Sequence, residues 1–188
     1  MALDTCLKHH FLIAMPKPAD EPDEYFSKTI TYICEHNEEG AMGFMVNRPM
    51  KLTVGELLDQ LGIAAGVDSK QPVLEGGPVK TERGFILHSD DVQYEASLPL
   101  GNGLMLSTAR QTLEAIGTGE GPKRYVVALG YAGWGSGQLE NELLQNVWLT
   151  CPADIDILFD VPFDQRVNQA AASLGIDFRL MSTHAGHA

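Results

Sequence analysis

Short strand-like runs, closed by glycine and proline and broken by only a few helical patterns, confine this chain to an α+β fold. The order never settles into the strict βαβ repeat that a doubly wound parallel sheet requires. Residues 11–15 read as a buried strand stopped at Pro16, and the acid- and proline-rich residues 17–24 as an exposed connection. Alternation over 29–36 places Ile30, Tyr32, Cys34 and His36 on one strand face and Thr29, Thr31, Ile33 and Glu35 on the other. A hairpin through 37–40 leads into a strand at 41–47, which Arg48 and Pro49 close.

Thr53 followed by Glu56 forms a capping box, and behind it Val54, Leu57, Leu58 and Leu61 line one helical stripe that stops at Gly62. Further strands are predicted at 73–75, 84–88, 93–98 and 104–107, and a helix at 108–116 that Gly117 ends. The apolar run 125–129 reads as a strand, the glycine-rich residues 130–137 as a turn, and 138–147 as an amphipathic helix. In a last helix, 164–174, Val167, Ala170, Ala171 and Leu174 share an arc that Gly175 terminates. No repeat and no linker divides the chain, so residues 1–188 are expected to form a single domain. A chain of 188 residues buries roughly 70% of its unfolded surface and needs no staple to fold. Cys6, Cys34 and Cys151 are widely spaced, which argues for neither a disulfide framework nor a zinc knuckle.

The formal net charge of −12 opposes contact with nucleic-acid phosphates and with anionic membranes. No apolar run approaches the ~20 residues that span a bilayer, and no charged segment precedes a signal-like run, so the expected location is cytoplasmic.

Three blocks together resemble the YqgE/AlgH family of bacterial proteins. The first joins His36 and Asn37 through 40–43 to Asn47, Arg48 and Pro49; the second joins 76–79 to 83–85 with Leu87 and His88. The third joins 130–134 to 137–140, Glu142, Trp148 and Leu149, and residues 11–16 and 186–188 match as well. The resemblance implies a compact α+β fold with a mainly antiparallel sheet bent into a barrel-like shape and helices packed on it. It also brings a role in regulating gene expression, including that of the exopolysaccharide alginate, in a family without an established activity. With −12 of charge and no helix-turn-helix pattern, such regulation is expected to act through a protein or a small anionic ligand rather than by reading DNA.

The glycine-rich block fails three tests for known chemistry. From Gly133 and Gly135 the third position of a dinucleotide fingerprint falls on Gln138; Gly137 is not followed by the Lys-Ser/Thr of a phosphate loop; and Ser136 lacks the flanking glycines of a nucleophile elbow. The sequence therefore calls for no cofactor and no metal. On a helical wheel Leu139, Leu143, Leu144 and Val147 share an arc that also contains Glu140. A carboxylate there needs a partner, and Arg48 and Arg83 are the first candidates, with a histidine or backbone donors as the alternatives. The candidate ligand-binding residues are His36, Asn47, Arg48, His88, Trp134 and Glu140. Each has a structural alternative: a histidine or asparagine that fixes a turn, an arginine in an internal ion pair, a tryptophan in the core. Three readings of function stand: a noncatalytic binding or regulatory protein; an enzyme on a small anionic metabolite with His36 or Glu140 as acid or base and Arg48 as anchor; and a pure interaction module.

Overall fold

The computed structural model describes residues 6–18, 20–22, 24–66 and 69–180. In chain order these form β1 (His10–Ala14), β2 (Ile30–Asn37), β3 (Gly40–Met45), β4 (Pro49–Thr53), helix α1 (Val54–Gln60), β5 (Pro72–Glu75) and β6 (Val79–Ser89). There follow β7 (Ser97–Gly101), β8 (Leu104–Ser107), α2 (Arg110–Thr118), β9 (Tyr125–Gly135), α3 (Gln138–Leu144), β10 (Trp148–Pro152), α4 (Ile155–Phe159) and, after a 3-10 turn at Phe163–Gln165, α5 (Arg166–Ala172). The class is α+β, as the spacing of the runs predicts, and the pairing is mainly antiparallel, as the resemblance implies. The chain divides into two compact units, residues 1–47 with 133–188, and residues 48–132.

In the first unit β10 pairs with β1, β1 with β2, and β2 with β3, all antiparallel. Phe11, Leu12, Ile13, Ile30, Tyr32, Ile33, Phe44 and Met45 are wholly buried there, α5 lies against β1, and Ala170 and Ala171 of α5 are wholly buried. The alternation predicted for β2 breaks at Cys34. Ile33 pairs with Gly43 and Glu35 with Met42, so Cys34 is an extra residue in a bulge and His36, opposite Ala41, moves to the face of Ile33. A one-residue slip reverses every later side chain. His36 therefore does not share a face with Ile30 and Tyr32.

Arg166 is only 3% exposed, a buried cation that no pattern in residues 164–174 announces. Its Nη1 donates to the Val46 carbonyl at 2.6 Å, its Nε to the Val161 carbonyl at 2.8 Å, and its guanidinium lies 4.4 Å from the Phe163 ring centre. Burial pulls its pKa down to about 10, still a cation at neutral pH.

The second unit follows its local signals at α1, where the Thr53 hydroxyl accepts the Glu56 N–H at 3.2 Å. Val54, Leu57, Leu58, Ile63, Val73, Ile86, Ile116 and Val127 form its core. β6 pairs antiparallel with β8 and β9, β8 with β7, and β5 lies parallel to β9 with Leu74 opposite Ala128. Several boundaries depart from the expectation: β4 at Pro49–Thr53 is not anticipated, and β6 begins at Val79 rather than at 84. The strand placed at 93–98 is β7, Ser97–Gly101; α2 runs past Gly117 to Thr118, with Gly119 in the left-handed cap at φ 81°. The glycine-rich block departs too: β9 continues through it to Gly135, so residues 130–135 are strand rather than turn. Gly130 and Gly77 permit close backbone approach, since a Cβ on Gly77 would stand 2.1 Å from the Tyr131 carbonyl carbon and one on Gly130 would stand 2.4 Å from the Gly77 oxygen.

Candidate functional site

The hairpin between β2 and β3 and the short helix α3 position the candidate residues of the first unit. α3 is shorter than the pattern predicts. It ends at Leu144, with Asn146 in the left-handed region at φ 57°, so Leu144 is 70% exposed and Val147 37% exposed instead of buried with Leu139. Glu140 sits in its first turn, and its partner is neither Arg48 nor Arg83. Glu140 Oε1 lies 2.7 Å from His36 Nε2, and the Leu7 N–H donates to His36 Nδ1 at 2.9 Å. Nδ1 is thus an acceptor, which puts the ring hydrogen on Nε2 and makes His36 the donor to the carboxylate. That bond, with a backbone N–H, holds the Glu140 pKa below the ordinary carboxylate value of 4.5.

A group depressed in the folded state contributes stability that is present above its unfolded value and is lost as pH falls through its folded value. Replacing Glu140 with glutamine is expected to cost about 1 kcal/mol at pH 7, a charged hydrogen bond discounted for partial exposure. The difference from the native chain should shrink as pH falls below 4.5. Urea unfolding at pH 7 and near pH 3 checks this, and an undiminished difference in acid would remove the carboxylate from the account.

Two residues further along α3, Glu142 gathers three donors. Its Oε2 accepts the indole N–H of Trp134 and that of Trp148, each at 2.8 Å, and its Oε1 accepts Gln138 Nε2 at 3.2 Å. The two indoles meet edge to face at 6.1 Å, and Phe26 lies against both, tilted 27° from the plane of Trp134 and edge-on to Trp148. Tyr25 meets Phe26 edge to face at 4.9 Å. Asn47 holds the turn that carries these rings, because its Nδ2 donates to the Lys28 carbonyl at 2.9 Å and its Oδ1 accepts the Ile30 N–H at 3.1 Å. Glu142 and Phe26 were not among the predicted residues. Two indole N–H groups in need of an acceptor were the available signal for Glu142.

Four of the six candidates, His36, Asn47, Trp134 and Glu140, therefore belong to the first unit, and the fold brings His36 and Glu140 into direct contact. Arg48 and His88 belong to the second. Arg48 Nη1 lies 3.9 Å from the Glu75 carboxylate. His88 is wholly buried; its Nδ1 donates to the Ser89 carbonyl at 2.7 Å, its ring meets Tyr94 edge to face at 5.7 Å, and Nε2 finds no donor among the described residues. Cys34 is sealed in its bulge, with burial raising its thiol pKa to about 12. Arg83 lies over Phe85 at 5.6 Å. His184 and His187 lie outside the described residues, as does the 186–188 block. Among the described residues no helix is long and apolar enough to cross a membrane.

Residues 11–179 match a family model described as AlgH-like. A protein of Stutzerimonas stutzeri named "UPF0301 protein" is 55% identical over 185 residues, 97% of this chain and 96% of that one. "UPF0301 protein AlgH" of Pseudomonas aeruginosa is 50% identical over 187 residues, 98% of this chain and 97% of that one. The solution structure of the AlgH protein from Pseudomonas aeruginosa aligns with a TM-score of 0.78 at 49% identity, covering 100% of this chain and 99% of the other. A crystal structure of a Corynebacterium diphtheriae protein aligns at 0.67 and 19% identity, over 86% of this chain and 85% of the other, a likeness of fold alone.

Proposed function

The chain belongs to the AlgH-like family, and from that membership we propose that it is a noncatalytic binding or regulatory protein of the cytoplasm, influencing gene expression through a small anionic ligand or a protein partner. One observation carries the reading: the groups best suited to move protons are spent on holding the fold. His36 uses Nδ1 on the Leu7 N–H and Nε2 on Glu140, so it offers no lone pair to a substrate proton. The acidic balance of −12 supports an indirect route to regulation, because direct DNA binding rests on clustered Lys and Arg.

The test is a thermal-melt screen of the purified protein against nucleotides, thiols, metabolite carboxylates, sugar phosphates and divalent metals, with product formation followed by NMR in the same mixtures. A ligand at 100 times its Kd adds about 2.7 kcal/mol, roughly 5 to 10 °C for a domain of this size. The expected result is a shift without turnover, diminished in Arg48→Ala if that guanidinium anchors the anion. Turnover that disappears in Glu140→Gln would replace binding with catalysis.

A further inference from the structure

Both tryptophans of the chain stand in one cluster, and a single carboxylate oxygen, Glu142 Oε2, fixes both through their N–H groups. The two rings, at 74° to each other, form a V whose walls are set by β9 and β10 and by α3. What fills the V is of a different kind. Phe26 arrives on irregular backbone between β1 and β2, in a turn closed by its own neighbours: Ser27 N–H to the Glu24 carbonyl and the Thr29 hydroxyl to the Phe26 carbonyl. Beyond it Lys28 takes the left-handed φ of 59°, a conformation that costs a non-glycine residue of order 1 kcal/mol. Asn47 secures that turn through both ends of its amide, donating to the Lys28 carbonyl and accepting the Ile30 N–H. Trp134 and Trp148 are each 6% exposed, whereas Phe26 is half-buried and Tyr25 above it is 40% exposed.

The walls are therefore organised without the ring they hold, and the ring sits on a segment with a strained residue beside it. We propose that the Trp134–Trp148 slot is a recognition site for an aromatic side chain of a partner peptide, that Phe26 is its occupant in cis, and that the two exchange. This rests on the binding reading given above and names the partner chemistry for part of the same site. A ring entering the slot gains one stacked and one edge contact, the geometries aromatic pairs prefer. The partner's apparent affinity is reduced by the fraction of time Phe26 occupies the slot. The carboxylates of Glu140 and Glu142 on α3 favour a peptide that is neutral or basic beside its ring.

The experiment titrates N-acetyl-phenylalaninamide into the full-length protein and follows tryptophan emission, which arises only from the slot. N-acetyl-leucinamide serves as an apolar, non-aromatic control. The native chain should bind the phenyl probe saturably, and Phe26→Ala should lower its Kd by about ten-fold or more by removing the competitor. Asn47→Ala, which keeps Phe26 but loosens its turn, should lower the Kd by a smaller factor, and it serves if Phe26→Ala folds poorly. Trp134→Ala should abolish binding. Binding seen only in Phe26→Ala would mean a cavity being refilled and would overturn the proposal, as would equal Kd values in the native and both variant chains, or equal binding of the leucine probe. Such failures leave the metabolite screen, which does not depend on the slot, to decide the broader reading.

Discussion

Gly77→Ala is expected to destabilise the protein by about 4 kcal/mol or more, roughly 8 to 16 °C in Tm for a chain of this length. The added carbon would lie 2.1 Å from the Tyr131 carbonyl carbon, 2.2 Å from its oxygen and 2.4 Å from the Ala132 nitrogen. All three are backbone atoms of β9, so no rotamer change relieves the overlap and the segment 76–78 must move away from the strand. Gly62→Ala provides the contrast. There φ is 68° but nothing lies within 4 Å, so the cost is the left-handed backbone alone, about 1 kcal/mol. Thermal melts of the two variants side by side check the argument. If they lose similar amounts, close approach is not why residue 77 is glycine.

The second large effect is expected at Glu142. Truncation to alanine leaves two indole N–H groups, both on tryptophans 6% exposed, without the acceptor they share. An unpaired buried donor costs about 1–3 kcal/mol, so the pair should cost about 3 to 4 kcal/mol. Trp148→Phe in the Glu142→Ala background removes one orphaned donor, so the two substitutions should fall short of additivity by about 1 kcal/mol. With only two tryptophans in the chain, emission reports on this cluster directly and should change in Glu142→Ala. Unaltered emission together with a melt within a degree of the native chain would mean that the carboxylate does not organise the indoles.

Local chemistry made much of the fold legible. Thr53 caps α1 because its hydroxyl reaches the N–H three residues on, and β8 occupies Leu104–Ser107 as its apolar run predicts. The failures occur where a distant partner decides. Nothing in residues 29–36 announces the bulge at Cys34, because an extra residue is defined only against Gly43 and Met42 on β3. Residues 130–135 look like a turn since glycine is poor in strands, yet here the strand needs glycine at 130 to pass the Gly77 carbonyl. The site shows the same division. That Glu140 needed a partner followed from the helical wheel, but identifying it as His36, 104 positions away, required the reversed face beyond the bulge. Arg166 could not be found at all, because its partners are the carbonyls of Val46 and Val161 and a carbonyl has no sequence signature.

The discontinuity of the first unit, made of residues 1–47 and 133–188, sets an order of events during synthesis. When the second unit has fully emerged from the ribosome, β1 still lacks β10, its antiparallel neighbour across His10–Pro152 to Ala14–Trp148, and Val46 still lacks the guanidinium of Arg166. At roughly 5–20 residues per second the apolar face carrying Phe11, Leu12 and Ile13 waits several seconds for its cover. A strand made before the second unit is thus finished only after it, and the nascent chain is most exposed to holdase chaperones and proteases at β1.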